Sequence, residues 1–342
     1  MSINNEKIYS LQGLRVVAMV VIFLYHLELF PFGHFAVTLF IILSGFVMYY
    51  SSYNKEINTN LKYNIVQAVN KIKKFYLIHI LTLIIAIFIN FKSTINIPIS
   101  KLITMILSNV FLVQAFIPNR DYYFSFNGVS WYLSVLLFCY FSFNFFRYIM
   151  KKLNDGYLSM IIILWLVQFV VSLVCINLSY DTAQWLLYIN PINRSINFFS
   201  GMLLAKLFIE KKDSYIITKL KANIYEVCIT SIFLIIYVCS IFIPRSFIWS
   251  VWYSPILMVI IFVFAFEKGI LSKFLGNNVL VNIAKISFEF FMIHQIIINL
   301  LWRILGNKYL VLIPALLITT LLALCLSRIF KKKVNSKIII NQ

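Results

Sequence analysis

The chain has 342 residues, of which 62% are hydrophobic, 17% aromatic and only 12% charged, and its mean hydropathy is +0.90. A soluble globular chain carries about 45–50% apolar and about 25% charged residues, so this composition excludes a water-soluble enzyme and a disordered tail. The net charge of +19 does not indicate nucleic acid as a partner, because the 30 Lys and Arg lie mostly in short stretches between apolar runs, as in a polytopic membrane protein. A helix crossing a ~30 Å hydrocarbon layer needs about 20 apolar residues. Ten runs meet that need: 14–30, 34–53, 75–91, 128–149, 157–177, 191–209, 223–243, 247–266, 284–303 and 309–330. Residues 100–117 are also apolar, but Lys101, Asn109, Gln114 and the following Pro118 mark them as an interfacial or re-entrant helix. The expected fold is an all-α polytopic membrane protein forming a single membrane domain over residues 1–342, with no appended soluble domain. Cys139, Cys175, Cys228, Cys239 and Cys325 sit inside apolar runs without C-x-x-C or zinc spacing. They read as buried small hydrophobes, with neither a disulfide framework nor a metal site indicated.

Orientation follows from the basic residues. With the N-terminus inside, the cytoplasmic segments hold 22 of the 30 and the outer segments 6, a strong positive-inside bias that places both termini in the cytoplasm. No basic n-region with a small-residue cleavage site precedes the first run, so it reads as an uncleaved anchor. Lys331–Lys333 and Lys337 read as a pin on the anionic inner leaflet.

Polar groups inside spans are costly, and each marks a candidate site. Arg15 and His26 stand eleven residues apart in the first span. At about 100° per residue they lie within ~20° of each other, roughly 16 Å apart along the axis. Arg15 is near the cytoplasmic end and His26 toward the outer half; the structural alternatives are a snorkelling arginine and a packing histidine. His294, in the middle of an otherwise apolar span, divides evenly between site and packing. Arg194, with Asn197 three residues on, is to be neutralised by an anionic acceptor or by lipid phosphate, the lipid being favoured. His79 reads as interfacial, and His34 as an outer-turn residue able to meet an acceptor. Glu289 reads as the i,i+4 partner of Lys285. Glu28 points away from His26 unless the helix ends there, which Pro31 allows. Lys71 and Lys74, at i,i+3, serve either as positive-inside anchors or as a phosphate clamp for a nucleotide-like donor.

The segment LQGLRVVAMVVIFLYH, with Arg15-x10-His26, followed by LFIILSGFVMYY (Leu39–Tyr50), resembles the start of the membrane-bound acyltransferase 3 family. Lys71 and Lys74 fall where that family has an Arg-x-x-Arg pair. Trp131-Tyr132-Leu133-Ser134-Val135 is similar to its Trp-x-Leu-Ser-Val, and Arg194 with Phe198-Phe199-Ser200-Gly201-Met202 to its Arg…Phe-Phe-x-Gly-Met. Ile286-Ser287-Phe288 followed by Phe291-Met292-Ile293-His294 is similar to its Ser-Tyr…Tyr-Leu-x-His. The chain departs from the pattern in three places. Both arginines of the pair are lysines, so point charges replace a bidentate fork. The following proline is Leu77, and Leu136 stands where many members have Glu.

The resemblance implies a cell-membrane O-acyltransferase that takes an acyl group, most often acetyl, from cytoplasmic acyl-CoA. The acceptor it implies is a hydroxyl of an envelope glycan or lipid-linked sugar. Acyl-CoA is then a co-substrate, with no permanently bound cofactor, no metal and no nucleic acid. Arg15, Lys71 and Lys74 become donor-binding candidates, while Ser44, Trp131, Ser134, Arg194 and His294 are candidates for the acceptor site or its walls. Acyl transfer needs a base for the hydroxyl. A histidine, with an ordinary pKa of ~6.5, suits that role, so His26 is the candidate base or transient acyl carrier. A reading from a different class is a non-catalytic transporter or exporter of polysaccharide or lipid-linked sugar. It also accounts for many spans and scattered intramembrane charge, but gives no reason for Arg15 and His26 on one face beside a lysine pair.

Overall fold

Each of the ten apolar runs is helical in the computed structural model, which describes residues 7–153, 155–212 and 217–340, with side chains as far as residue 329. The principal helices are α1 (Ser10–His26), α2 (His34–Tyr50), α3 (Leu61–Ile89), α4 (Ile99–Val110), α5 (Trp131–Lys152), α6 (Tyr157–Val174), α7 (Pro191–Lys211), α8 (Lys219–Cys239), α9 (Ser254–Phe264), α10 (Ser287–Leu305) and α11 (Lys308–Ile340). There is no strand among the described residues. Seven helical stretches among them are long and apolar enough to cross a membrane, and the protein is an all-α polytopic membrane protein. α1 and α2 are shorter, at 17 residues each. α7 has 21 residues, but Arg194, Ser195 and Asn197 lower its hydropathy and are buried against neighbouring helices. The side chains of Lys331–Lys333 and Lys337 lie outside the described residues.

Hydropathy located the apolar cores of these helices better than their ends. α3 begins at Leu61, fourteen residues before its apolar run, because Asn60 caps it by accepting from the Tyr63 amide at 3.2 Å. The run at 247–266 is broken into Arg245–Ser250 and α9 by a bend at residues 251–253. α4 has 12 residues, about 18 Å of helix and too short to cross. Its C-terminal carbonyls are held by α3: the Tyr76 hydroxyl donates to Val110 O at 2.8 Å, and His79 Nε2 pairs with Asn109 O at 2.9 Å. His79 is therefore a wholly buried clamp, where an interfacial position was expected. The cysteines divide: Cys139 and Cys175 are buried, whereas Cys228 and Cys325 are exposed. An apolar run gives no sign of which side faces lipid, so buried positions were expected for all five.

The centre of the fold is the antiparallel contact of α2 with α7. A Cβ on Gly45 would stand 2.0 Å from Phe198 O, and one on Gly201 2.1 Å from Ile42 O. Only glycine permits that approach, as at other close helix crossings in membranes. The glycines of the Leu-Ser-Gly-Phe and Phe-Phe-x-Gly-Met segments are thus explained by packing. α1 lies between α2 and α10. Its start is pinned by Ser10, whose hydroxyl donates to Phe264 O at 2.8 Å and whose amide donates to Glu267 Oε1 at 2.7 Å. Along its length Phe23 and Leu27 pack with Phe290, Ile293 and Ile297 of α10.

Candidate active site

α1 and α10 bring together two histidines 268 residues apart in sequence. His26 Nδ1 lies 2.8 Å from His294 Nε2, with ring centroids 4.9 Å apart. His294 Nδ1 lies 2.6 Å from Phe291 O. A carbonyl oxygen only accepts, so Nδ1 of His294 carries the hydrogen and its Nε2 holds a lone pair. That lone pair accepts from His26 Nδ1–H, which leaves the basic lone pair of neutral His26 on Nε2. The Phe291 carbonyl thus sets the tautomer of His294 and, through it, bears on that of His26, whose ring also has the Ile22 carbonyl one turn back on α1 as an acceptor. His294 is 1% exposed, and His26 is half-buried at the end of α1. α1 does end at His26, but Glu28 does not orient the ring: Glu28 is exposed, in a left-handed conformation with φ of 56°.

Arg15 faces the same helix nearer the other end. It lines a cavity of about 120 Å³ with Ser44, Phe75, Tyr132, Tyr140 and Phe291. His294 is three positions after Phe291, so the Arg15 cavity and the histidine pair share one face of α10. Leu136 stands between Tyr132 and Tyr140 on the i, i+4, i+8 stripe of α5 and lines this cavity. A carboxylate at that position would face Arg15. With leucine there, the hydrogen bond of the guanidinium among the described residues is a long one, 3.5 Å to Gln12 Oε1. The Ser44 hydroxyl donates to Phe40 O at 2.8 Å, one turn back along α2.

Lys71 and Lys74 are exposed on α3. Lys74 Nζ lies 5.6 Å from the Phe75 ring centroid, and Phe75 packs on Phe288 at 4.1 Å in the wall of the Arg15 cavity. Lys74 therefore stands against a wall residue of that cavity, with Lys71 one turn before it on α3. A larger cleft of about 620 Å³ opens at the same end, lined by Tyr49, Tyr53, Lys55, Arg147, Lys151 and Lys206. Arg147 builds its rim by donating to Ser52 O at 3.2 Å, to Glu56 O at 3.1 Å and to Lys55 O.

At the His26 end the rings of Tyr25, His34, Tyr188 and Trp131 follow one another at centroid distances of 4.9, 5.0 and 5.0 Å. The Tyr25 hydroxyl and His34 Nε2 are 2.9 Å apart. This aromatic wall begins next to the histidine pair, Tyr25 being 5.5 Å from His26. Sequence reading found Trp131 and His34 but not Tyr25 or Tyr188, which in an apolar helix look like any other aromatic residue.

Arg194 is wholly buried and meets neither lipid nor solvent. Its Nε donates to Tyr188 O at 2.7 Å, Nη2 to Trp249 O at 2.8 Å, and Nη1 to Thr38 Oγ1 at 3.2 Å and Asn197 Oδ1 at 3.3 Å. The expectation of a lipid phosphate partner is corrected. A guanidinium with five N–H donors is satisfied here by neutral oxygens, and it rivets the segments carrying Tyr188 and Trp249 to α2. Ser134, also wholly buried, donates to Leu112 O and lies 3.2 Å from Gln114 Oε1, so its hydroxyl ties α5 to the segment after α4. Lys285 Nζ donates to Asn282 Oδ1 at 2.7 Å.

A family model described as an acyltransferase domain matches residues 8–331. No curated protein and no solved structure matches the chain. The match takes in α1 through most of α11 and includes Arg15, His26 and His294. The chain belongs to the membrane-bound acyltransferase 3 family and is an integral-membrane acyltransferase.

Proposed function

We propose that the protein moves an acyl group, most simply acetyl, from cytoplasmic acyl-CoA to a hydroxyl of an envelope carbohydrate, free or lipid-linked, with His26 as general base. The observation that carries this reading is the Phe291 O–His294–His26 chain, which leaves the His26 Nε2 lone pair as the basic atom. The acceptor O–H gives its proton to Nε2 as the oxygen attacks the thioester carbonyl carbon. The tetrahedral intermediate collapses with cleavage of the C–S bond, and His26 returns the proton to the departing thiolate. No net proton is gained or lost, and no group besides the two substrates is consumed. His26 as base needs no acyl-enzyme, so direct transfer is the simpler path.

The donor side is supported by charge and space. The cavity at Arg15 is far smaller than the 300–1,000 Å³ of a drug-sized ligand pocket, so it suits the acyl end of the donor. The cleft is of that size and carries Lys55, Arg147 and Lys151, beside Glu56 and a Lys206 already paired with Glu210 at 2.6 Å, a net basic lining that suits the nucleotide, with Lys71 and Lys74 at hand for phosphate. In this arrangement both termini and the lysine end face the cytoplasm of a cell membrane. The acceptor side is supported by the Tyr25–His34–Tyr188–Trp131 wall, since aromatic faces suit the apolar faces of sugar rings.

The test is His26→Gln in a strain whose envelope glycan is analysed by mass spectrometry. Wild-type protein should add the mass of an acetyl group per acylated unit. His26→Gln should reach the membrane at similar levels and add none, because loss of a general base costs about 10²–10⁴-fold in rate. Acylated glycan from a stable His26→Gln protein would refute His26 as the base. Loss of surface glycan without a mass change on gene deletion would favour transport.

A further inference from the structure

We propose that Asn127 and Gln295 each accept a hydrogen bond from a hydroxyl of the acceptor other than the one acylated. This rests on the carbohydrate acceptor of the proposed function and assigns that site two residues that the motifs do not include. Among the described residues, Asn127 Oδ1 and Gln295 Oε1 are buried and have no hydrogen-bond partner. Buried polar atoms are nearly always paired, and an exception calls for a ligand, an ion or a water. Both atoms are neutral acceptors, so what they lack is a donor, and a polyol supplies O–H donors without charge.

Both meet the turn of α10 that carries His294. Gln295 follows His294 directly and stands one turn beyond Phe291, whose ring walls the Arg15 cavity. Asn127 is 1% exposed and is fixed by its own amide, Nδ2 donating to Met292 O at 2.9 Å. Met292 and Gln295 are three residues apart on α10, so both partners of the pair meet one face of that helix. Gln295 Oε1 lies 2.9 Å from the place a Cβ on Gly128 would take, and Gly128 follows Asn127. The missing side chain of Gly128 is what lets Gln295 reach this turn.

The experiment compares wild type with Gln295→Met, a change of similar length that removes the acceptor atom. Since Oε1 bonds nothing in the protein, the fold loses no hydrogen bond. Acetyl-CoA is the donor, and methyl glucoside, galactoside and mannoside with their monodeoxy derivatives are the acceptors. The acceptor KM of Gln295→Met should rise about three- to ten-fold, the loss of one hydrogen bond, with the acetyl-CoA KM unchanged. One monodeoxy derivative should show the same penalty with wild type and none with the variant. Identical acceptor KM values and identical deoxy profiles for the two proteins would overturn the pair's role while leaving acyl transfer intact. Wild-type protein that consumes acetyl-CoA yet acylates no glycoside would overturn the carbohydrate reading and this pair with it.

Discussion

Replacing His294 tests whether the histidine pair works as a unit. In His294→Leu the His26 Nδ1–H loses its acceptor at 2.8 Å. An unsatisfied buried donor costs about 1–3 kcal/mol. If that cost falls on the orientation and tautomer that the transition state requires, kcat drops about 5- to 150-fold at 1.36 kcal/mol per factor of ten. His294→Gln behaves differently, because its amide oxygen stands near the place of Nε2 and still accepts from His26. It loses only the Nδ1–H bond to Phe291 O, about 1 kcal/mol or about five-fold. The acyl-CoA KM should stay constant in both variants, since His294 touches neither Arg15 nor the lysines. The assay is release of free thiol from acetyl-CoA by purified protein, dependent on added acceptor, beside a thermal melt to show that each variant is folded. The expected order of activity is wild type, His294→Gln, His294→Leu, then His26→Gln. A folded His294→Leu protein with wild-type kcat would separate the pair from catalysis, and one as inactive as His26→Gln would make His294 the base.

The double variant Lys71→Gln/Lys74→Gln should raise the acyl-CoA KM more than it lowers kcat, because phosphate contacts remote from the thioester contribute largely uniform binding. An unchanged KM returns both lysines to membrane anchoring. Leu136→Glu should be tolerated when Arg15 is present, its carboxylate meeting the guanidinium across their shared cavity, and should destabilise the Arg15→Gln background. An uncompensated buried charge costs about 3–5 kcal/mol, so additive shifts in melting temperature would place the two side chains apart. In a background lacking the native cysteines, a cysteine at exposed Asn119 should react with an impermeant reagent from outside, and one at exposed Asn58 should not. The reverse pattern would invert the orientation and the placing of donor and acceptor.

Much of the architecture is legible without coordinates, because hydropathy and helical period are local properties. A run of apolar residues is helical in a bilayer since every backbone amide needs an internal partner, and all ten expected runs are helices. The eleven-residue spacing of Arg15 and His26 put them on one face, and both do look toward α10. Helix ends were less accurate, as α3 shows, because Asn60 extends it by capping and not by hydropathy.

What only the tertiary structure decided is which polar group each buried side chain meets. His294 read equally as packing or site until α10 was seen to lie against α1, and its partner is 268 residues away. Arg194 and His79 read as facing lipid headgroups or the interface, yet both are wholly buried. Besides Thr38 and Asn197 on Arg194, their partners are backbone carbonyls of Tyr188, Trp249 and Asn109, groups that every residue carries and that no motif can mark. Gln295 gave no signal, since an amide in an apolar run is conspicuous only once its oxygen is known to be unpaired, and Asn127 precedes its run as an ordinary loop asparagine. The sequence by itself determines where a polar atom enters the membrane, through local composition. Whether that atom is satisfied, and so free to act on a substrate, depends on the packing of distant helices.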